Sequence, residues 1–167
     1  MWDQLKAKLR EGDIQALARC ITLVENEVPG YEDLLLSIPA NRKAPVIGIT
    51  GPPGAGKSTI TDALIGALIR AEKKVAVLCV DPSSPFHFGA ILGDRIRMNA
   101  IEPGVVYFRS VATRSAGGVV PANLDAMVDA AKVAGFDLVI VETPGIGQGD
   151  AAITDHADVS LYVMTPE

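Results

Sequence analysis

The segment that most constrains this chain is a glycine-rich loop set between an apolar run and a helix-like run. It reads "GPPGAGKS" over residues 51–58 and matches the pattern G-x-x-x-x-G-K-[ST] at every position. In such a loop several backbone N–H groups point at phosphate oxygens, and side chains would block that approach. The helix that follows adds the positive end of its dipole. The loop therefore predicts a site for the phosphates of a nucleotide.

Three residues at the end of the loop have separate predicted roles in binding phosphate and Mg²⁺. Lys57 supplies a mobile positive charge for the β- and γ-phosphates, Ser58 offers a hydroxyl to Mg²⁺, and Thr59 can reach the α-phosphate. The other predicted nucleotide contacts are Gly51, Pro53, Gly54, Ala55 and Gly56. A chance glycine-rich turn is the plain alternative. A dinucleotide fingerprint, G-x-G-x-x-G, fits less well because it leaves the Lys-Ser pair unexplained.

Hydrophobic patterning outside the loop predicts a parallel sheet. Strands are predicted at residues 45–50, 74–81, 105–112, 136–143 and 158–165. Helices are predicted at 58–74 and 121–135, between strands. Strands that are apolar throughout, rather than alternating, are typical of parallel sheets covered on both faces. The predicted fold class is α/β: a doubly wound, mainly parallel sheet of the P-loop NTPase type, with helices on both faces.

The helix predicted at 58–74 carries an apolar face. Its members recur at three- and four-residue spacing, as one side of a helix requires. They are Ile60, Ala63, Leu64, Ala67 and Leu68. We expect this face to pack on the sheet.

An N-terminal helical extension is predicted at residues 1–43, with the nucleotide-binding domain at 44–167. Leu5 and Leu9 are four residues apart, and apolar residues then recur at helical spacing from Ile14 to Val24. Asp13 is a candidate cap for the second helix. A third short helix begins near Tyr31.

Composition excludes several classes of protein. The net charge is −5 and the pI about 5.0, which argues against binding to nucleic acid or to a membrane surface. The N-terminus lacks the apolar core of a signal peptide, and no apolar run approaches the length of a membrane span. We expect a cytoplasmic protein, or one of an organelle matrix. Cys20 and Cys79 are predicted to be buried, reduced thiols.

Two acidic residues end apolar strands, where a doubly wound sheet binds its ligands. Asp81 follows "VAVLCV" and Glu142 follows "DLVIV". A helix cap or turn is the alternative for either alone, but the pair favours a Mg²⁺ site. Gly145 could sense the γ-phosphate through its N–H. Gln148 could orient the attacking water, although a solvated loop glutamine is an equal alternative.

Four segments together carry a family resemblance: "GPPGAGKST", "VDPSSPF…GAILGDRIRMN", "FRSVATRS…GG" and "VETPGIGQGD". They resemble the P-loop GTPases that service metallocofactor enzymes. More narrowly, they resemble the MeaB/ArgK/MMAA type, the chaperones of adenosylcobalamin-dependent methylmalonyl-CoA and isobutyryl-CoA mutases. "GDRIRMNAI" and "DVSLYVMTPE" are similar to the G-domain of fused isobutyryl-CoA mutases, and "LREGDIQALARCITLVENEVPG" to the helical extension of the free-standing chaperones. "VETPG" looks like the acidic strand-end motif of GTPases, with Glu for the usual Asp.

The resemblance implies further site residues. The implied Mg²⁺ set is Ser58, Asp81, Asp94 and Glu142, with the backbone of Val80 and Thr143 nearby. Arg97 would approach the phosphates. The implied catalytic residues are Lys57, Asp94 and Gln148. Segments 82–98 and 145–156 would be switches that change shape with the bound nucleotide.

The resemblance also implies cofactors and partners. These are GTP or GDP with Mg²⁺, an adenosylcobalamin-dependent acyl-CoA mutase, and a second copy in a homodimer. The expected function is a Mg²⁺-dependent GTPase, slow without its partner, that gates cofactor loading and protection of the mutase. The alternatives are a small-molecule P-loop kinase or amino-acid-transport-type ATPase, a nickel-type metal-insertion GTPase, and a non-catalytic nucleotide-binding fragment.

The guanine-specificity motif of this family, Asn-Lys-x-Asp, does not occur in the chain. We therefore expect a chain truncated before that motif. A preference for GTP over ATP follows from the resemblance alone.

Overall fold

The computed structural model describes residues 1–37, 43–81, 104–112, 120–143 and 149–166, with the backbone only at 81, 149 and 150. Within these ranges one parallel sheet has the strand order β3-β2-β4-β1-β5. Its strands are β1 (Val46–Thr50), β2 (Val75–Asp81), β3 (Val106–Ala112), β4 (Leu138–Glu142) and β5 (Val159–Tyr162). The predicted α/β fold class and parallel sheet are confirmed. Each strand lies inside its predicted segment and is one to four residues shorter.

Helices flank the sheet in the order that the sequence predicts. They are α1 (Trp2–Arg10), α2 (Ile14–Glu25), α3 (Tyr31–Leu36), α4 (Lys57–Arg70), α5 (Leu124–Val133) and the short α6 (Gly149–Ala152), which leads into a 3₁₀ turn at Ile153–Asp155. The predicted cap is present: Asp13 Oδ1 accepts a hydrogen bond from the Ala16 N–H at 2.9 Å. Among the helices of the described ranges, none combines the length and apolar character needed to cross a bilayer.

Two apolar clusters lie on opposite faces of the sheet. Alternate residues of β2 divide between them: Ala76 and Leu78 face one cluster, and Val75 and Val77 face the other. Helices α1, α2, α3 and α5 pack against the first face. Helix α4 contributes Ile65 and its neighbours to the second. This confirms the prediction of helices on both faces.

The N-terminal helices share a hydrophobic core with the sheet. Leu9 of α1, Leu17 and Ile21 of α2, and Met127 of α5 all have 0% exposure and belong to one cluster with residues of β2 and β4. Burial of a side chain of this size stabilises the fold by about 1.5–3 kcal/mol. The predicted boundary between residues 43 and 44 stays a prediction.

Helix α4 ends at Arg70, four residues before the predicted end. Glu72 has a left-handed φ of +58°, and its N–H bonds to the Ile69 carbonyl. The Lys73 N–H bonds to the Leu68 carbonyl, which completes a Schellman motif. This cap is usually made by glycine, so a glutamate at this position does not predict it.

Helix α5 begins at Leu124, three residues after the predicted start. Residues 121–123 form a turn in which the Leu124 N–H bonds to the Pro121 carbonyl. The side chain of Asn123 donates to the Val24 carbonyl of α2 rather than capping its own helix. The helix therefore begins after a turn whose last residue bonds to α2.

The predicted apolar face of α4 is only partly confirmed, since Leu64 and Leu68 pack against the second cluster but the other three members do not. Ile60 is 41% exposed, and Ala63 and Ala67 are also exposed. The fully buried side chains of the helix are instead Thr61 and Ile65. Thr61 faces the sheet because its hydroxyl bonds to the carboxylate of Glu142, at the end of β4.

The two cysteines are free and buried, as predicted. Cys20 has 0% exposure, and burial raises the pKa of its thiol to about 11. A thiol in this environment is a small core side chain rather than a nucleophile.

Candidate functional site

The candidate site lies at the carboxyl edge of the sheet, where all the parallel strands end. Glu142, the last residue of β4, is in register with Ile49 of β1 and Cys79 of β2. Its carboxylate therefore sits near the middle of this edge. Asp81 ends β2 opposite Ala112 of β3, and only its backbone is described. The edge is where doubly wound sheets bind ligands.

Gly51 begins the loop under strong steric constraint. Its φ is +142°, and a Cβ added there would lie 2.2 Å from the Val163 carbonyl oxygen. That close approach arises because the chain after β5 continues beside β1, with the Val163 N–H bonded to the Thr50 carbonyl at 2.8 Å. Only glycine fits this position without a shift of the backbone.

The rest of the loop turns outward and leads into α4. Pro52, Pro53 and Gly54 are exposed, and the Ala55 N–H bonds back to the Pro52 carbonyl at 3.2 Å. Gly56 caps the helix with a left-handed φ of +99°. The first turn of α4 thus begins directly at the loop, so its unpaired N–H groups and its dipole are available to an anion.

Lys57 is folded onto its own loop. Its side chain donates from Nζ to the Gly51 carbonyl at 2.8 Å and to the Pro52 carbonyl at 3.1 Å, and the residue is 8% exposed. An ammonium group has three N–H donors, so these two contacts leave one for an acceptor outside the loop. Buried amines need such partners, and a phosphate is the acceptor that this loop pattern predicts.

Ser58 and Thr61 of α4 both reach Glu142. Ser58 Oγ donates to Glu142 Oε1 at 3.3 Å, and Thr61 Oγ1 lies 3.0 Å from Glu142 Oε2. The two hydroxyls are three residues apart, so they lie on one face of the helix. The sequence analysis placed Ser58 and Glu142 in one site, but it did not include Thr61. A signal was available, because residues three positions apart lie on one face of a helix and Thr61 is polar like Ser58.

A pair of threonines joins β1 to the end of β4. Thr143 Oγ1 and Thr50 Oγ1 are 2.7 Å apart, and both residues are buried. The Thr143 N–H also bonds to the Ile49 carbonyl at 3.0 Å. These contacts hold the start of the segment after β4 against β1, next to the glycine-rich loop.

The residues present fit a magnesium ion. Mg²⁺ takes oxygen ligands and is usually held by one or two carboxylates together with phosphate oxygens and water. Ser58 Oγ and Glu142 Oε1 supply such oxygens side by side. Across the described ranges there is no cluster of three or more His, Cys, Asp or Glu side chains that could hold a metal. In a Mg²⁺–nucleotide site, phosphate oxygens and water supply further ligands beside such side-chain oxygens.

The structure brings part of the predicted site together. Residues 51–56 form the loop, and α4 begins with Lys57, Ser58 and Thr59. The ends of β2 and β4 carry the others, which are Val80, Glu142 and Thr143. Asp94, Arg97, Gly145 and Gln148 lie outside the described residues. Their predicted roles stay predictions.

Sequence reasoning also missed a link between α2 and the carboxyl edge. Arg109 Nη2 of β3 donates to Glu25 Oε2 at 3.1 Å and to Thr22 Oγ1 at 3.0 Å. The other oxygen of Glu25 accepts from the Ala112 N–H at 3.1 Å. The N-terminal helices thus bond directly to the last residue of β3, which lies opposite Asp81.

Comparison with known proteins gives the family. Residues 17–167 match the family described as methylmalonyl Co-A mutase-associated GTPase MeaB. The chain belongs to the MeaB family. This confirms the resemblance carried by the loop and strand-end motifs.

Similar proteins come from several organisms. A fused isobutyryl-CoA mutase of Nocardia farcinica is 52% identical over 161 residues, covering 93% of this chain and 15% of that protein. A Pyrococcus abyssi protein that is named as a GTPase is 44% identical over 170 residues, covering 99% of this chain and 52% of that protein. This MeaB-family chain thus spans about half the length of the second relative and a small part of the first.

A solved structure shares the fold. The crystal structure of a LAO/AO transport system kinase superposes with a TM-score of 0.73 at 31% identity, covering 97% of this chain and 49% of that chain. The likeness extends through the N-terminal helices as well as the sheet, because nearly all of this chain is covered.

Proposed function

We propose that this chain binds GTP with Mg²⁺ at the loop 51–58 and hydrolyses it slowly, as a chaperone of an adenosylcobalamin-dependent acyl-CoA mutase. The observation that carries the proposal is the contact between Ser58 and Glu142, immediately beside the glycine-rich loop. It joins a phosphate-binding loop to a carboxylate at the strand end, the two parts that a Mg²⁺–nucleotide site needs. The family description adds the GTPase activity and the mutase.

The described residues suggest how the phosphates would be held. N–H groups of the loop and of the first turn of α4 bind phosphate oxygens, and Lys57 adds a positive charge. Ser58 and Glu142 would hold the cation, which would supply positive charge to offset the negative charge of the phosphates. Thr59 is proposed to contact the α-phosphate.

The remaining predicted roles complete the proposal. Asp81 and Asp94 join the cation set, with the backbone of Val80 and Thr143 nearby. Arg97 contacts the phosphates, the Gly145 N–H senses the γ-phosphate, and Gln148 orients the attacking water. The segments 82–98 and 145–156 are proposed to change shape with the nucleotide and so to act on the mutase. A homodimer is part of the same proposal.

A small-molecule kinase is the second candidate. The observation that favours it is the similarity to the crystal structure of a LAO/AO transport system kinase. The two functions differ in where the γ-phosphate goes. Release of free phosphate supports a hydrolase, whereas transfer to an added small acceptor without free phosphate supports the kinase.

The first experiment measures thermal stability with Mg²⁺ and GTP, GDP, ATP or no nucleotide. A ligand at 100 times its Kd adds about 2.7 kcal/mol of stability. We expect guanine nucleotides to stabilise the wild-type chain and Lys57→Ala to lose most of that gain. Lys73→Ala is the matched control, because Lys73 is an exposed lysine three residues beyond the end of α4 that lies opposite the loop. Equal stabilisation of wild type and Lys57→Ala would contradict the proposed site.

The second experiment tests the partner. Phosphate release from GTP is measured while an adenosylcobalamin-dependent acyl-CoA mutase is titrated in. We expect the rate to rise with mutase concentration, since groups supplied by a partner accelerate related GTPases by about 10³ to 10⁵. A rate that stays constant over the titration would remove the chaperone role and leave the nucleotide site intact.

A further inference from the structure

Glu142 is held at both of its carboxylate oxygens by the same helix. Ser58 Oγ lies 3.3 Å from Oε1, a long contact, whereas Thr61 Oγ1 lies 3.0 Å from Oε2. Thr61 has 0% exposure and is one turn further into α4. The tighter of the two contacts is therefore made by the residue that lies deeper in the protein.

Packing alone does not explain a threonine at this position. A buried hydroxyl costs free energy unless it is bonded, and valine has nearly the same shape without that cost. The usual partner of a helical threonine is the carbonyl four residues earlier, here that of Lys57 at 2.9 Å. The hydroxyl has one proton for two acceptors, so its hydrogen bond is shared between the Lys57 carbonyl and the Glu142 carboxylate.

The contact restricts a side chain that would otherwise be mobile. A glutamate has one more rotatable bond than an aspartate, so ordering its carboxylate costs more conformational entropy. Binding Oε2 to Thr61 leaves Oε1 on the side of Ser58, next to the loop. Oε1 is thus positioned beside Ser58 and the loop before any ligand arrives.

We infer that Thr61 is a positioning residue, which holds the Glu142 carboxylate so that Oε1 and the Ser58 hydroxyl together receive the nucleotide-bound divalent cation. The inference rests on the proposed function. Groups that bond to metal ligands typically change metal affinity by about 10- to 100-fold when they are removed. The effect of Thr61 should therefore appear in cation affinity more than in nucleotide affinity.

The test compares three variants of the full chain. Thr61→Val removes the hydroxyl and keeps the shape, whereas Thr61→Ser and Thr61→Ala both lack the methyl group and differ by the hydroxyl alone. The Mg²⁺ concentration that half-saturates the GDP complex is measured by calorimetry. Mn²⁺ binding to the same complex is followed by electron paramagnetic resonance. GDP affinity in EDTA is measured for each variant.

We expect Thr61→Val to raise the half-saturating Mg²⁺ concentration by about 10-fold or more, with GDP affinity in EDTA changed by less than about 2-fold. Thr61→Ser should stay within about 3-fold of wild type, and Thr61→Ala should resemble Thr61→Val. If Thr61→Val does not fold, the comparison of Ser with Ala decides. Mn²⁺ affinities should follow the same order.

Two results would overturn the inference, and they differ in what else they remove. Variants that lack the hydroxyl but keep the wild-type cation affinity would make Thr61 a packing residue, while the proposed function stands. A wild-type chain whose GDP complex gains nothing from Mg²⁺ or Mn²⁺ would remove the cation site and the inference together.

Discussion

Gly51 occupies a position that no other residue fits. The loop begins where the backbone after β5 passes β1, and a Cβ at Gly51 would lie 2.2 Å from a main-chain oxygen. A flexible side chain could move aside, but a carbonyl within the sheet edge cannot. The phosphate-binding loop is therefore tied to the position of the last strand as well as to its own sequence.

We predict that Gly51→Ala lowers the free energy of unfolding by about 1–3 kcal/mol or more, because the methyl group overpacks against backbone. Urea unfolding followed by circular dichroism measures this. Gly104→Ala is the control, since Gly104 has a φ of +83° and no atom within 4 Å of an added Cβ. It should cost only the backbone strain, about 1 kcal/mol. Equal losses in both variants would show that the clash relaxes at no cost.

Helix ends show how far sequence patterns reach at the scale of elements. Schellman-type bonds end α1, α2, α4 and α5, with left-handed residues at Gly12, Glu27, Glu72 and Gly135. Where the residue is glycine, the sequence marks the end of the helix. Where it is glutamate, no local signal exists, because the conformation is stabilised by the surrounding bonds and not by the residue type.

The Glu25–Arg109 pair joins α2 to β3 and makes a second prediction. Both side chains are mostly buried, at 12% and 23% exposure. We expect Glu25→Gln and Arg109→Gln each to lower the free energy of unfolding by about 1.5–3 kcal/mol, since each leaves a charged partner poorly bonded. The double variant should lose less than the sum, which a double-mutant cycle measures.

The His156–Asp125 pair, in which the Asp125 side chain is exposed, is the control for that cycle. Its atoms are 2.7 Å apart, but the Asp125 side chain is 70% exposed. Asp125→Asn should change the stability by no more than about 0.5–1 kcal/mol. Strict additivity of the Glu25 and Arg109 losses would contradict the prediction, because it would mean that the two side chains do not interact.

The N-terminal helices and the sheet form one hydrophobic cluster at the scale of the whole molecule. Side chains of α1 and α2 pack with α5, and α2 also contacts β3, within a cluster that includes residues of β2 and β4. If the N-terminal helices separated from the sheet, both parts would expose a large apolar area to water. We therefore expect the described parts of the chain to unfold together, in a single transition.

This prediction can be measured with the chain's single tryptophan. Trp2 lies in α1 and reports on the N-terminal helices, whereas far-ultraviolet circular dichroism reports on the whole chain. The two denaturation curves should coincide. Ile21→Ala should lower the free energy of unfolding by about 2–5 kcal/mol, and both probes should report the same decrease. A separate, earlier tryptophan transition would instead support independent folding of residues 1–43.

The sequence by itself determined the loop, the parallel α/β sheet and the acidic residue at the end of β4. Each depends on neighbouring residues: eight consecutive positions make the loop, and continuous apolar runs make buried strands. The predicted strands, the cap at Asp13 and the buried cysteines were confirmed for the same reason.

Only the tertiary structure decided the exact rotation of α4 against the sheet and which groups meet at the carboxyl edge of the sheet. Thr61 and Glu142 are 81 residues apart in the chain, and Glu25 and Arg109 are 84 apart. Such contacts depend on the strand order and on the rotation of each helix about its axis. Those follow from packing the whole chain, because no local pattern specifies which distant residue a side chain will meet.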